Sequence, residues 1–300
     1  MSPLRETMIE AGGMRFGALE AGEPGGRLVL CLHGFPDSAW TWRHLLAVLA
    51  DAGHYAVAPF LRGYAPTELP AAEVRIVDLV ADLLALEELL RGGEPGTSVA
   101  IGHDWGAAVV HAALEAEPGR WACTVSESVP PAAGFSIEAI SPAQLRRSWY
   151  SFLFQLPDIS VPEHLARKDD LALIDSLWTD WSPGLEAPEE IQRAKDALRP
   201  PGRLRAAIGY YREAPTSVPS RAEAEASREA LARIDVPLLY LHGADDGCIG
   251  VDTLEARRSF FPSSMRVVVL EGVGHFVHLE RPEHIARLVL DFLADHPDPP

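Results

Sequence analysis

The clearest chemistry in the sequence lies in Gly102-His103-Asp104-Trp105-Gly106, placed directly after the apolar run Ser98-Val99-Ala100-Ile101. A short strand that turns sharply into a helix needs glycine on both sides of the turn. Such a turn pushes the middle side chain out as a nucleophile. Here that residue is Asp104, and no G-x-S-x-G occurs anywhere in the chain. A carboxylate attacking an ester carbonyl would form an uphill mixed anhydride, which disfavours ester and amide hydrolysis. Displacement at a saturated carbon instead gives an alkyl-enzyme ester that water can cleave. The expected target is a saturated carbon bearing a leaving group, as in an epoxide or an alkyl halide.

The other catalytic parts are sought in the order nucleophile, acid, histidine. Gly274-His275-Phe276 follows the last apolar run, Val267 to Leu270, after a short glycine loop. A histidine there reaches back over the sheet, so His275 is the expected general base. His278 competes, but it lies toward the terminal helix and reads as structural. The acid is expected after Val236–Leu241, in His242-Gly243-Ala244-Asp245-Asp246. Gly-x-x-Asp spacing selects Asp246, with Asp245 and Glu127 as alternatives. Its role is to fix the histidine tautomer and stabilise the imidazolium. In His33-Gly34-Phe35-Pro36 the N–H of Phe35, together with that of Trp105, is the expected oxyanion hole. The Phe35–Pro36 bond is a candidate for the cis form.

These residues need a scaffold. Thr7 to Ala21, with Gly12-Gly13, suggests an opening β-hairpin. Arg27–Leu32, Tyr55–Pro59, the run before Asp104 and Trp121–Val125 read as buried parallel strands. Helices are expected over Trp40–Ala50, Val74–Leu90 and Trp105 to about Ala116. In the second of these Val74, Val77, Val80 and Leu84 form the apolar face, with acidic residues opposite. From about Pro130 to Ala226 strand-like runs vanish, and helical stretches carry many aromatics. Alternation then resumes with Val236–Leu241, a helix over Val251–Phe260, Arg266–Leu270 and a helix over Pro282–Ala294. The reading is an α/β fold with a mostly parallel sheet flanked by helices and an inserted helical cap. The core is expected over 1–132 and 227–300 and the cap over 133–226. Within that span and just past it, Arg221–Arg233 reads as a charged, solvated helix, and Pro297–Pro300 as a frayed end.

Composition narrows the partners. The net charge of −17 argues against nucleic acid, whose phosphates need a basic patch. No apolar run approaches membrane-spanning length and the N-terminus lacks a signal-peptide core, so a cytoplasmic location is expected. Cys31, Cys123 and Cys248 are too scattered for a disulfide framework or a metal pair. With no Walker loop and no G-x-G-x-x-G after a strand, no cofactor or metal is expected. A homodimer is left open.

His33 to Arg43 (HGFPDSAWTWR), Arg62-Gly63-Tyr64, GHDWG, Ser148 to Pro157 (SWYSFLFQLP), Gly209 to Glu213 (GYYRE) and Gly274 to Glu283 (GHFVHLERPE) together resemble the α/β-hydrolase-fold epoxide hydrolases. The resemblance covers nearly the whole chain and is weakest in the middle of the cap. It implies that two cap tyrosines hydrogen-bond the epoxide oxygen and supply its proton. These map to Tyr150 and Tyr211, with Tyr210 one register away. His33, Pro36, Trp149 and Phe276 are further residues expected at the substrate. Haloalkane dehalogenases share the aspartate elbow, but many carry asparagine where this chain has Phe35, and a departing halide needs no proton. A non-catalytic small-molecule receptor is a further alternative, with no need for the full set of groups.

Overall fold

The computed structural model of the protein describes residues 2–92, 97–131, 141–213, 229–230, 232–255, 258, 261 and 264–297. Its centre is an eight-stranded sheet. The hairpin β1 (Arg5–Ala11) and β2 (Met14–Ala21) opens it, followed by β3 (Leu28–Leu32), β4 (Tyr55–Pro59), β5 (Ser98–His103), β6 (Trp121–Glu127), β7 (Leu238–Gly243) and β8 (Met265–Leu270). The order across the sheet is β1-β2-β4-β3-β5-β6-β7-β8. Only the β1–β2 and β2–β4 pairings are antiparallel.

Every residue of β3, β4, β5 and β7 is buried. Successive side chains of a strand point to opposite faces, so both faces of the sheet are covered. The covering helices are α1 (Arg43–Asp51), α2 (Ile76–Arg91), α3 (Trp105–Ala116) and, at the end of the chain, Pro282–Asp295. A 3-10 turn over Ala39–Trp42 leads into α1 where the sequence suggested one continuous helix.

The expected face of α2 needs correction. Val77 is more than half exposed, while Leu79, Val80, Leu83 and Leu86 are buried together with Asp82 and Glu87. Arg62 grips Asp82 through two bonds, of 2.5 and 2.6 Å. Glu87 receives Arg91, Arg120 and Ser98. Paired acids can be buried where unpaired ones cannot, and these partners are not visible in the spacing of the helix itself.

Between β6 and β7 the described residues form helices and no strand: α4 (Pro142–Arg147), α5 (Trp149–Phe154), α6 (Ser160–Trp181), α7 (Pro188–Leu198) and α8 (Arg203–Glu213). α6 is two helical segments, broken at Lys168–Leu171, where Asp169, Asp170 and Leu171 have positive φ. The expected cap boundaries at 132 and 226, most of the Arg221–Arg233 segment, and Pro297–Pro300 beyond its first residue lie outside the described residues. So does most of the expected helix after Glu255.

Candidate active site

The strand β5 ends at His103, and α3 begins at Trp105 with Asp104 as its N-cap. Asp104 has φ 51° and ψ −117°, a conformation that costs energy for a side-chain-bearing residue. The glycines make this turn possible. A Cβ on Gly102 would collide with the Gly106 carbonyl, one on Gly106 with the Leu32 carbonyl, and one on Gly34 with the Asp104 side chain. The positive end of α3 favours an anion at this point. The Phe35 amide donates to Asp104 Oδ1 at 2.8 Å, and the Trp105 amide opens the helix directly beside it. The Phe35–Pro36 bond is cis, as is Ala65–Pro66, which sequence reasoning did not single out.

On the other side of Asp104 lies His275. Its Nε2 is 3.7 Å from Asp104 Oδ2, and its Nδ1 donates to Asp246 Oδ2 at 2.9 Å. Asp246 is fixed in turn by the amides of Cys248 and Ile249 on its Oδ1, at 2.7 and 2.8 Å. Of the alternatives, Asp245 is exposed, and Glu127 is bonded to His278 at 2.6 Å. Burial alone would lower the pKa of the His275 ring. The carboxylates of Asp246 and Asp104 outweigh it and push the value up to about 10. Burial likewise pushes Asp246 up, but the adjacent His275 and the backbone amides hold its carboxyl below the ordinary range.

Tyr150 on α5 and Tyr211 on α8 come together above Asp104, their rings 5.6 Å apart. The Tyr211 ring also meets Trp105 at 5.1 Å and Phe35 at 5.4 Å. Its hydroxyl is buried without a well-formed hydrogen bond, whereas the Tyr150 hydroxyl lies 3.3 Å from Cys248 Sγ. Burial, reinforced by the Asp104 charge, raises both phenols well above their usual value, so both keep their protons. Tyr210 points elsewhere and donates to the Arg62 carbonyl at 2.5 Å. The neighbouring side chain, Arg212, donates to the carbonyls of Phe154, Leu156 and Pro157 at the end of α5. One helix is thereby anchored to the core by Tyr210 and to α5 by Arg212, with Tyr211 between them.

The remaining expected site residues have other contacts. His33 is buried with both ring nitrogens engaged, Nδ1 near the Gly34 carbonyl at 2.9 Å and Nε2 accepting the Leu61 amide at 3.0 Å. The Pro36 carbonyl accepts Trp178 Nε1, and Phe276 is fully buried and stacked on Trp178 at 3.8 Å. Trp149 is 42% exposed and lines an outer groove with Arg146, Arg147 and Asp180. The Phe276 ring also meets that of His275 at 5.4 Å, and the Trp149 ring that of Tyr150 at 6.5 Å. Cys248 is a free, buried cysteine, and its Sγ lies within 4.8 Å of ligand atoms on Asp104 and His275, a proximity that the sequence does not reveal.

The chain matches the alpha/beta hydrolase fold family over residues 27–282 and belongs to that family. It is 28% identical to epoxide hydrolase A of Mycobacterium tuberculosis, with 96% of this chain and 97% of that protein covered. It is also 28% identical to mouse epoxide hydrolase 3, over 96% of this chain and 76% of the relative. Among solved structures, epoxide hydrolase A of Mycobacterium thermoresistibile aligns at 28% identity with a TM-score of 0.77, covering 97% of this chain and 98% of that one. An epoxide hydrolase of Vigna radiata aligns at 27% identity, again with a TM-score of 0.77 and the same coverage.

Proposed function

We propose that the protein is an epoxide hydrolase that converts an epoxide and water to a vicinal diol. The observation that carries this reading is the pair of proton-bearing phenols, Tyr150 and Tyr211, gathered over an aspartate at an elbow. An opening epoxide needs a proton on its oxygen, and a departing halide does not. Epoxide hydrolases among the relatives support the same reading.

In the first step Asp104 Oδ2 attacks an epoxide carbon while the two tyrosines receive the departing oxygen and supply its proton. Oδ1 stays on the Phe35 amide and becomes the carbonyl oxygen of the ester. Before that step both Asp104 and Asp246 hold a proton on His275. Esterification neutralises Asp104 and removes one of the two anions. The ring can then pass its proton to the tyrosinate left by ring opening, and take one from water, which adds to the ester carbonyl. The oxyanion so formed is met by the Phe35 and Trp105 amides. Collapse releases the diol and restores the Asp104 carboxylate. Asp246 keeps the ring in the tautomer that leaves Nε2 free.

The test is turnover of styrene oxide by purified protein. Diol formation is expected, with none from Asp104→Asn. His275→Gln is expected to trap the ester, seen as an intact-mass increase of one epoxide. Halide release from a haloalkane with no diol from an epoxide panel would overturn the reading in favour of a dehalogenase. Binding without turnover of either would point to a receptor.

A further inference from the structure

His275 has no regular secondary structure to hold it, since it sits between β8 and a short helix over Val277–Glu280. Its backbone is held instead at both polar groups. The His275 amide donates to the Trp181 carbonyl at the end of α6, at 3.0 Å. The His275 carbonyl accepts from Ser128 Oγ at 2.5 Å and from His103 Nε2 at 3.1 Å. A carbonyl only accepts, so His103 must carry a hydrogen on Nε2. The other nitrogen of His103 faces Asp37 Oδ2 at 3.3 Å, and Asp37 is itself tied to the Ser38 amide. All four residues, Asp37, His103, Ser128 and His275, are fully buried.

These contacts join the two halves of the chemistry. His103 directly precedes Asp104 at the end of β5, and Ser128 follows β6 with a φ of 67°. Behind them a second carboxylate–histidine pair, Glu127 with His278, is capped by Trp42 stacked on His278 at 4.3 Å. The His103 ring lies between the base and this pair, 4.8 Å from His275 and 4.9 Å from His278. The His103 and Ser128 side chains bond the backbone carbonyl of His275 and not its ring.

We propose that His103 and Ser128 are positioning residues that hold the His275 carbonyl and so aim the ring at the ester of Asp104. The inference rests on His275 being the base for ester hydrolysis. Loss of this hold moves the base and leaves the nucleophile and the tyrosines in place. It therefore acts on the second half of the reaction and spares the first.

His103→Leu removes the donor, His103→Gln keeps an amide that can reach the carbonyl, and Ser128→Ala removes the second donor. With styrene oxide, rapid-quench mass spectrometry follows growth and decay of the alkyl-enzyme. Misplacing a reacting group by about 1 Å costs ~100-fold. The expected result is a ~100-fold slower decay in His103→Leu, growth within about threefold of the parent, and at least ~10-fold recovery of decay in His103→Gln. In the resting protein the His275 Nδ1 proton, bonded to Asp246, gives a downfield NMR signal independent of turnover. That signal is expected to shift or broaden in His103→Leu and return in His103→Gln. Equal slowing of growth and decay would overturn the proposal, as would unchanged decay or an unchanged signal. If the parent forms no alkyl-enzyme, the epoxide reading fails separately and the NMR signal decides alone. If His103→Leu does not fold, Ser128→Ala carries both readouts in the same sense.

Discussion

At His275 one ring is shared by two anions, Asp246 at 2.9 Å and Asp104 at 3.7 Å. The coupling makes the protonation of the base depend on the state of the nucleophile. Asp104→Asn removes one of those charges without changing the size of the side chain. The His275 pKa is then expected to fall from about 10, a shift readable by NMR titration of the ring carbon protons. An unchanged value would mean that Asp246 alone sets it. Esterification has the same electrostatic effect as this substitution, so the titration also tests how the base is released during turnover. Asp104, His275 and Asp246 were legible in the sequence because each follows a strand at a fixed loop spacing. The contacts of His103 were not, since its partners Asp37, Ser128 and His275 come from three other loops. No local pattern records such a meeting.

Among the elements, α2 shows where periodicity misleads. Val77 sits at an apolar spacing and faces outward, while Asp82 faces inward because Arg62, on the loop after β4, covers it. Arg62→Met is therefore expected to leave a buried carboxylate unpaired and to destabilise the fold by about 3 kcal/mol. Urea unfolding with an unchanged m-value would measure it. A change under about 0.5 kcal/mol, the size usual for surface substitutions, would show that Asp82 finds water or another partner. The strands were easier to read than the helices. A strand buried on both faces is a continuous apolar run, as Leu28–Leu32 and Ser98–Ile101 are. A helix face depends on what packs against it, and that is distant in the chain.

For the molecule as a whole, the raised His275 pKa is a statement about stability. The group is near the ordinary histidine value of 6.5 when unfolded and about 10 when folded. Between those values the folded protein binds more protons than the unfolded one, so stability falls as pH rises. The contribution is fully present below about pH 6.5 and is lost as pH passes about 10. Melting temperatures of the parent and His275→Gln should differ most near the lower limit and converge toward the upper one. A difference that stays constant with pH would place the stabilisation elsewhere. The succession of strand, helix and helical insertion could be read from the alternation along the chain. Which faces of the insertion meet the core could not, because those contacts are made by single side chains such as Tyr210.

That anchor bears on how the protein could change over time. Tyr210 fixes α8 to the core and Arg212 fixes it to α5, so Tyr150 and Tyr211 share one rigid corner. The side of the insertion formed by the first segment of α6, before the break at Lys168–Leu171, carries neither phenol. Lengthening, shortening or resurfacing that side would reshape the room available to a ligand without displacing the proton donors. The architecture separates the part that a new diet of substrates would select upon from the part that any such substrate would need unchanged.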